Sequence, residues 1–249
     1  MKKHLSVLAL YAGNTFLRLL ALMIAMGALE TALFALHWNR WEFVDGNMPA
    51  VENLLVGLPL VSAMTLLALL FLICLDDGKT TAAPYTLRRL RIPEEAAILW
   101  RAVYNGICLL LLWAVQTAVA LGLCSWYARA IGPEYSSSLT VFLAFYRVPF
   151  LHNLLPLGCW LRYLRNIVLL LALGFCAAVR TYKLRRGSQY GWGIIVFLWG
   201  VTYTSFRVES LTGFMDIVSI IAALIAVIVD ADYFIKGWTG WRGGLDETD

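Results

Sequence analysis

Six apolar segments, separated by short polar connections, constrain the fold of this chain more than any other feature. They are Phe16–Leu36, Leu54–Leu75, Ala102–Tyr127, Asn166–Val179, Tyr190–Phe206 and Phe214–Val229. The hydrocarbon core of a bilayer is about 30 Å thick, and a helix of about 20 apolar residues crosses it. Leu54–Leu75 and Ala102–Tyr127 contain no Asp, Glu, Lys or Arg. We therefore predict that these two segments are membrane-spanning helices.

The other four segments are shorter or have charged residues in or beside them. Arg165 and Arg180 flank the fourth segment, and we expect their long side chains to snorkel to the headgroups and so extend the span. Asp216 and Asp230 lie near the ends of the sixth segment and are expected to be solvated. Glu30 is an intramembrane polar candidate with three open interpretations. It pairs with an Asn or Tyr of a neighbouring helix, faces a substrate path, or reaches the outer interface without a special role.

The composition supports a membrane protein and leaves no room for a soluble domain. Of 249 residues, 61% are hydrophobic and 14% are charged, whereas soluble domains carry roughly a quarter charged residues. The polar interruptions are too short for an independent catalytic domain. We predict an all-α, polytopic fold with about six transmembrane helices, forming one transmembrane domain over residues 1–249. The N-terminal "MKKH" and the apolar run after it indicate a retained first helix rather than a signal peptide.

The distribution of basic residues predicts the orientation. If the N-terminus is cytoplasmic and six helices span, fourteen of the 20 Lys and Arg residues fall on the cytoplasmic side, as the positive-inside rule requires. We thus expect a multi-pass protein of the cell membrane with both termini cytoplasmic. The net charge of +4 follows from this orientation. Outside the membrane-flanking loops, the sequence has no basic stripe with interleaved aromatic residues, so we do not predict nucleic acid binding.

Ser136–Asn166, between the third and fourth segments, is apolar but interrupted. Its uncharged runs, Tyr135–Tyr146 and Val148–Leu161, are shorter than a span. Counting it as a seventh span would place the basic Tyr182–Gly187 outside, against the charge rule. We therefore predict an external interfacial segment that lies on the outer leaflet or dips into it.

The connection between the second and third segments reads "DDGKTTAAPYTLRRLRIPEEAAILWR". Pro84 can open a short helix that places Leu87 and Leu90 near one face, ringed by arginines. Pro93 opens a second helix, with carboxylates in its first turn, and this helix continues through Arg101 into the third span. Two interpretations stay open from the residues alone. The loop fixes the topology and binds anionic lipid, or its short helix docks against a soluble partner.

The texts "YTLRRLRIPEEAAILWRAVYNGICLLLLW" (Tyr85–Trp113) and "FYRVPFLHNLLPL" (Phe145–Leu157) resemble the permease subunit of type-2 ABC exporters of Gram-positive bacteria. The resemblance implies that the loop helix is a coupling helix resting in a groove of a cytoplasmic ABC ATPase subunit. Its contact residues would be Tyr85, Leu87, Arg88, Arg89, Leu90 and Arg91. It also implies pairing as a homodimer, or as a heterodimer with a sister permease. The family's re-entrant hairpin before the last span is reduced here to Arg207–Gly213.

Motifs for enzyme chemistry do not occur in the sequence. The three histidines are far apart, the five cysteines form no CxxC pair, and no phosphate-binding GxxxxGK[ST] loop is present. We predict no catalytic, cofactor-binding or metal-binding residue, and a transport subunit rather than an enzyme. The alternatives are a non-transporting membrane scaffold or immunity protein and, less favoured, a membrane-embedded enzyme.

Overall fold

A computed structural model describes residues 2–44, 51–75, 94–131, 139–185, 191–208 and 213–243 of the chain. In these residues all regular structure is α-helical, as predicted. The helices are α1 (Lys2–Val44), α2 (Val51–Leu54), α3 (Leu58–Leu75), α4 (Glu94–Ala130), α5 (Thr140–Arg147), α6 (Pro149–Leu154), α7 (Trp160–Arg185), α8 (Trp192–Arg207) and α9 (Gly213–Gly243).

Within the described ranges, five helical stretches are long and apolar enough to cross a membrane. They are Thr15–Arg40, Val51–Cys74, Ala96–Ala130, Trp160–Leu184 and Gly213–Asp232. They cover all the predicted segments except the fifth, Tyr190–Phe206. That segment forms α8, whose 16 residues span about 24 Å, less than the hydrocarbon thickness. The chain therefore has the helices of a multi-pass membrane protein.

Contacts near both ends of α7 determine how the last three helices run. Arg165 pairs with Asp216 near the N-terminal ends of α7 and α9, and Lys183 pairs with Asp230 farther along both helices. The two helices are therefore parallel. Between them, α8 begins with Trp192 under the guanidinium of Arg180, so it starts beside the C-terminal part of α7. It must run in the opposite direction, because α9 begins again beside the start of α7.

Contacts of α1, α3 and α4 show that the first three long helices alternate in the same way. Arg101 near the start of α4 covers the ring of Tyr11 on α1, while Gln116 farther along α4 contacts Glu30. Thus α1 and α4 are parallel. The side chain of Arg101 also reaches the carbonyl of Ile73 in the last turn of α3, so α3 runs in the opposite direction between them.

The helix α7 lies at the centre of the bundle, where Leu169, Leu173 and Ala177 are fully buried. It crosses α4 at a pair of glycines with unusually close backbones. A Cβ atom on Gly174 would lie 2.8 Å from the backbone nitrogen of Gly106. Small residues at such a crossing let the two backbones pack closely, and this packing holds helices together in lipid, where no hydrophobic force drives their association.

The segment Ser136–Asn166 contains no spanning helix over residues 139–159, but its last residues, Trp160–Asn166, form the first two turns of the spanning helix α7. The prediction that the whole segment is external is therefore wrong for these last residues. The helices α5 and α6 have 8 and 6 residues, about 12 Å and 9 Å of rise, and the chain is extended at Val148 between them. The segment nevertheless enters the bundle. The indole of Trp113, near the middle of α4, donates to the carbonyl of Leu154 at 3.0 Å. Phe150, Leu151 and Leu154 are buried in a hydrophobic cluster that also contains residues of α1, α3 and α4.

Candidate functional site

Glu30 on α1 is fully buried and faces α4. The Nε2 atom of Gln116 donates to both carboxylate oxygens of Glu30, at 2.9 and 3.1 Å. Within the described ranges, Glu30 makes no ion pair, and Gln116 is its hydrogen-bond partner. The predicted alternative of an interfacial Glu30 is wrong, because its exposed fraction is 0%. The alternative of a polar partner on a neighbouring helix holds, but the partner is a glutamine rather than Asn or Tyr.

Gln116 also lines a cavity of about 60 Å³ between α3, α4, α6, α7 and α8, which we call the Gln116 cavity. Its wall is largely apolar, with Ala63 from α3, Leu112 from α4 and Leu154 from α6. The Oε1 atom of Gln116 is buried and receives no hydrogen bond from the described residues. The Glu30 carboxylate lies behind Gln116 and is not part of the wall.

A second polar cluster joins α7 and α9 near their N-terminal ends. Arg165 is 1% exposed. Its NH1 atom donates to Asp216 in a short ion pair, while Nε and NH2 donate to Asn166. Arg162 approaches the other oxygen of Asp216, at 3.6 Å. This cluster satisfies most donors of a guanidinium that is buried away from water.

The same cluster extends to α6 and α8 through two buried asparagines. Asn166 Nδ2 donates to the backbone carbonyl of Asn153 at 2.8 Å. Asn153 Nδ2 donates in turn to the carbonyls of Phe206 and Val208, at 3.3 and 3.0 Å. These hydrogen bonds fix the short helix α6 to the end of α8. They satisfy carbonyls at a helix end that otherwise lack a partner.

Four charged residues that we expected at the membrane surface are instead buried. Arg165 and Asp216 form the ion pair above, and Asp230 receives a 2.7 Å hydrogen bond from Lys183 Nζ. Arg180 packs over the ring of Trp192 at 5.0 Å, with 4% of its surface exposed. The predictions of snorkelling for Arg165 and Arg180 and of solvation for Asp216 and Asp230 are wrong. Neighbouring helices supply the ion-pair and aromatic partners of these charges, and the sequence around each charge does not indicate them.

At the opposite end of the bundle, a hydrogen bond joins the end of α3 to the start of α4, the two helices that flank residues 76–93. Arg101 NH2 donates to the carbonyl of Ile73 at 2.9 Å, and the Arg101 guanidinium lies 5.2 Å from the centre of the Tyr11 ring. A cation at a helix C-terminus offsets the partial negative charge of the last carbonyls. Arg101 therefore links α4 to the last turn of α3. As predicted, α4 is continuous from Glu94 through Arg101 into the apolar segment.

The predicted ATPase-contact residues lie outside the described residues. They are Tyr85, Leu87, Arg88, Arg89, Leu90 and Arg91. The structure describes the two helices that flank them, α3 and α4, and the link between these helices. Among the described residues, no group of three or more His, Cys, Asp or Glu residues is placed to hold a metal ion.

Sequence reasoning missed Gln116, Asn153 and Asn166, which organise the buried polar contacts. None of them belongs to a recognisable motif. The available signal was weak: each is an uncharged polar residue within or beside an apolar segment, where lipid offers no hydrogen bonds. A partner within the protein was therefore to be expected, although the sequence does not indicate which helix supplies it.

Comparison with known proteins does not extend this description. No family model matches the chain. No curated protein and no solved structure matches it either.

Proposed function

We propose that this chain is the membrane-spanning permease subunit of an ATP-driven exporter, which works with a separate cytoplasmic ATPase subunit. The observation that carries the proposal is the link at the base of α3 and α4. Arg101 hydrogen-bonds the Ile73 carbonyl, so the two helices flanking residues 76–93 are joined where that connection begins and ends. A force applied to the connection would move both helices together.

In this proposal the chain crosses the membrane six times, with α8 as the fifth crossing. The supporting geometry is the parallel arrangement of α7 and α9, since a chain that descends twice must return between the two. The 16 residues of α8 fall short of an average bilayer core, and local thinning and snorkelling of Arg207 accommodate such a mismatch. Both termini then lie on one side, which the distribution of Lys and Arg assigns to the cytoplasm.

The proposed coupling contact is the segment Tyr85–Arg91, for which the sequence predicts a short helix. Leu87 and Leu90 would enter the ATPase groove, and the three arginines would surround its rim. Closure of two ATPase subunits around ATP would push this helix, and Arg101 would pass the movement to α3 and α4. From α4 it would reach α7 through the glycine crossing, whose backbones are too close to slide independently. A homodimer, or a heterodimer with a sister permease, would enclose the transport path, because one six-helix unit encloses a poor one.

Aspartate substitutions in the coupling face test this proposal. We expect Leu87→Asp combined with Leu90→Asp to leave the membrane helices folded, because neither residue lies in one. The double variant should lose pull-down of a co-expressed ABC ATPase subunit, because two carboxylates cannot enter an apolar groove without a large desolvation cost. Stimulated ATP hydrolysis should fall with it.

The matched control is Thr80→Asp with Thr81→Asp, which adds the same two charges to the same connection away from the coupling face. This control should retain the complex. An intact complex with normal hydrolysis in the Leu87→Asp/Leu90→Asp variant would contradict the coupling assignment. The loop would then act only in topology, and a non-transporting scaffold or immunity protein would become the better explanation.

A further inference from the structure

We propose that Glu30 carries a proton in the folded protein and that its O–H group donates to Oε1 of Gln116, so that the two side chains form a neutral acid–amide pair between α1 and α4. The pair is then a buried binding site for one proton. This inference does not depend on the exporter proposal. It rests on three observations: a buried acceptor on Gln116 without a donor, the lack of a described cation beside Glu30, and the facing arrangement of the two side chains.

The acceptor without a donor is Oε1 of Gln116, a residue that is 3% exposed. The Oε1 atom is closed to water and receives no hydrogen bond from the described residues. These residues include Tyr203 and Arg207, whose side chains line the cavity beside Gln116. A buried acceptor of this kind is unfavourable, because nothing replaces the hydrogen bonds that water makes to it in the unfolded chain. Its donor must belong to a group that already contacts Gln116.

Glu30 is the group in contact with Gln116 that can gain a proton. It is 0% exposed and lies within the spanning stretch Thr15–Arg40. An ionised carboxylate is stable in such a place only when a cation pairs with it or several donors surround it. The hydrogen bonds to Glu30 come from one atom, Nε2 of Gln116, although two carboxylate oxygens can accept about four. A bound proton removes the charge that this single donor leaves uncompensated.

The ionisable side chains that the structure describes do not compensate a charge on Glu30. Along α1 the nearest is His37, seven residues away, or about 10 Å along the helix axis. On α4 the nearest are the uncharged Cys108 and Cys124, each eight residues from Gln116, or about 12 Å along the axis. The helices α2, α3 and α4 pack on α1. Their other ionisable residues are farther along the helices or exposed, as is one residue of α8 across the cavity: Glu52, Cys74, Arg101, Tyr104, Tyr127, Arg129 and Arg207.

The two side chains face each other as an acid–amide pair requires. Nε2 of Gln116 lies 2.9 and 3.1 Å from the two carboxyl oxygens of Glu30, and Oε1 is bonded to the same carbon as Nε2. The last torsion of both side-chain types is broad, so a small rotation brings Oε1 opposite one oxygen while Nε2 keeps the other. A protonated carboxyl offers one donor and one acceptor, and the amide offers their complements. Two hydrogen bonds then join α1 to α4 without a net charge.

Infrared difference spectroscopy of the full chain in lipid nanodiscs tests this inference. The C=O stretch of a carboxylic acid lies above the amide I band, whereas carboxylate bands lie below it. At neutral pH, the spectrum of the original chain minus that of Glu30→Gln should show one carboxylic acid band. The matched control is Glu52→Gln, the same change at an exposed residue of α2, which should remove carboxylate bands only. A Glu30→Gln difference with carboxylate bands and no acid band would overturn the proposal.

Two further measurements test the pairing with Gln116. In Gln116→Leu the acid band should persist and move to higher frequency, because its carbonyl no longer accepts a hydrogen bond, whereas Thr117→Val at the next position should leave the band unchanged. Glu30→Gln should melt at the temperature of the original chain, because the new amide restores both hydrogen bonds. An acid band that does not move in Gln116→Leu would contradict the pair. A marked rise in the melting temperature of Glu30→Gln would also contradict it, since it would mean that a buried charge had been removed.

Discussion

Two ion pairs join α7 and α9 in the described residues, and in both of them the cation lies on α7 and the anion on α9. Arg165 faces Asp216 and Lys183 faces Asp230, with each side chain more than nine-tenths buried. Removing charges from water costs several kcal/mol per ion, which the mutual attraction approximately offsets. Such pairs therefore add little net stability, but the loss of one partner is expensive because it leaves an uncompensated charge.

We expect Arg165→Leu to destabilise the protein by about 3–5 kcal/mol, because Asp216 would then be buried without its closest cation. Adding Asp216→Leu should recover most of this loss. Thermal unfolding of the detergent-solubilised protein measures both effects. Arg129→Leu is the control, since Arg129 is exposed on α4 and its replacement should change stability by no more than about 0.5 kcal/mol. Equal melting temperatures for Arg165→Leu and Arg129→Leu would show that the pair is not formed.

At the scale of helices, the contact of α4 with α7 depends on the absence of two side chains. Gly106 and Gly174 let the backbones touch, and Asn105 Nδ2 donates across the crossing to the carbonyl of Gly174 at 3.2 Å. A polar side chain that reaches a backbone carbonyl of another helix compensates for the missing water in lipid. The crossing thus holds the central helix α7 against the helix that begins at the basic connection.

The smallest change that tests this crossing is Gly174→Ala. Its Cβ would lie 2.8 Å from Gly106 N and 3.0 Å from Gly106 Cα, so the helices must separate. We expect a loss of about 1–3 kcal/mol, measured as a lower melting temperature in detergent. The matched control is Gly200→Ala in α8, where a Cβ meets no atom within 4 Å. That variant should be as stable as the original chain or more so. A Gly174→Ala protein with unchanged stability would mean that the crossing is looser than described.

At the scale of the whole molecule, the proposed topology follows from parallel pairs of helices. Gly106 on α4 meets Gly174 on α7, while Trp113 farther along α4 lies against Tyr163 near the start of α7, so these two helices are antiparallel. Helices therefore alternate in direction from α1 through α3, α4, α7 and α8 to α9, and α8 returns the chain across the bundle. A five-span protein in which α8 does not cross would place the two ends of α8 on the same side. The two arrangements predict different accessibility for residues on either side of α8.

Labelling with a membrane-impermeant maleimide in intact cells distinguishes these arrangements. Single cysteines are introduced in a background that lacks the five native ones. We expect Asn47→Cys and Val208→Cys to be labelled and Thr80→Cys and Ser188→Cys to react only after permeabilisation. Labelling of Thr80→Cys in intact cells would reverse the orientation. Labelling of both Ser188→Cys and Val208→Cys would rule out α8 as a crossing.

Much of the fold could be predicted because lipid as a solvent imposes a local rule. Every spanning segment must be helical and apolar over about 20 residues, and this property is visible in one stretch of sequence at a time. The five long apolar helices were recognisable for this reason. The start of α4 at Glu94 was also predictable from local sequence, since Pro93 precedes it and Glu94 and Glu95 lie in its first turn. The coupling residues Tyr85–Arg91 remain a prediction.

The tertiary structure alone decided which polar residues become buried partners. Gln116 and Glu30 are 86 positions apart, and Arg165 and Asp216 are 51 apart. A charge near the end of an apolar run is solvated if that end meets water, and buried if another helix covers it. The difference depends on how α7 lies against α9 and α1 against α4, which no local pattern contains. The same holds for the Gln116 cavity, because residues of five helices form its wall.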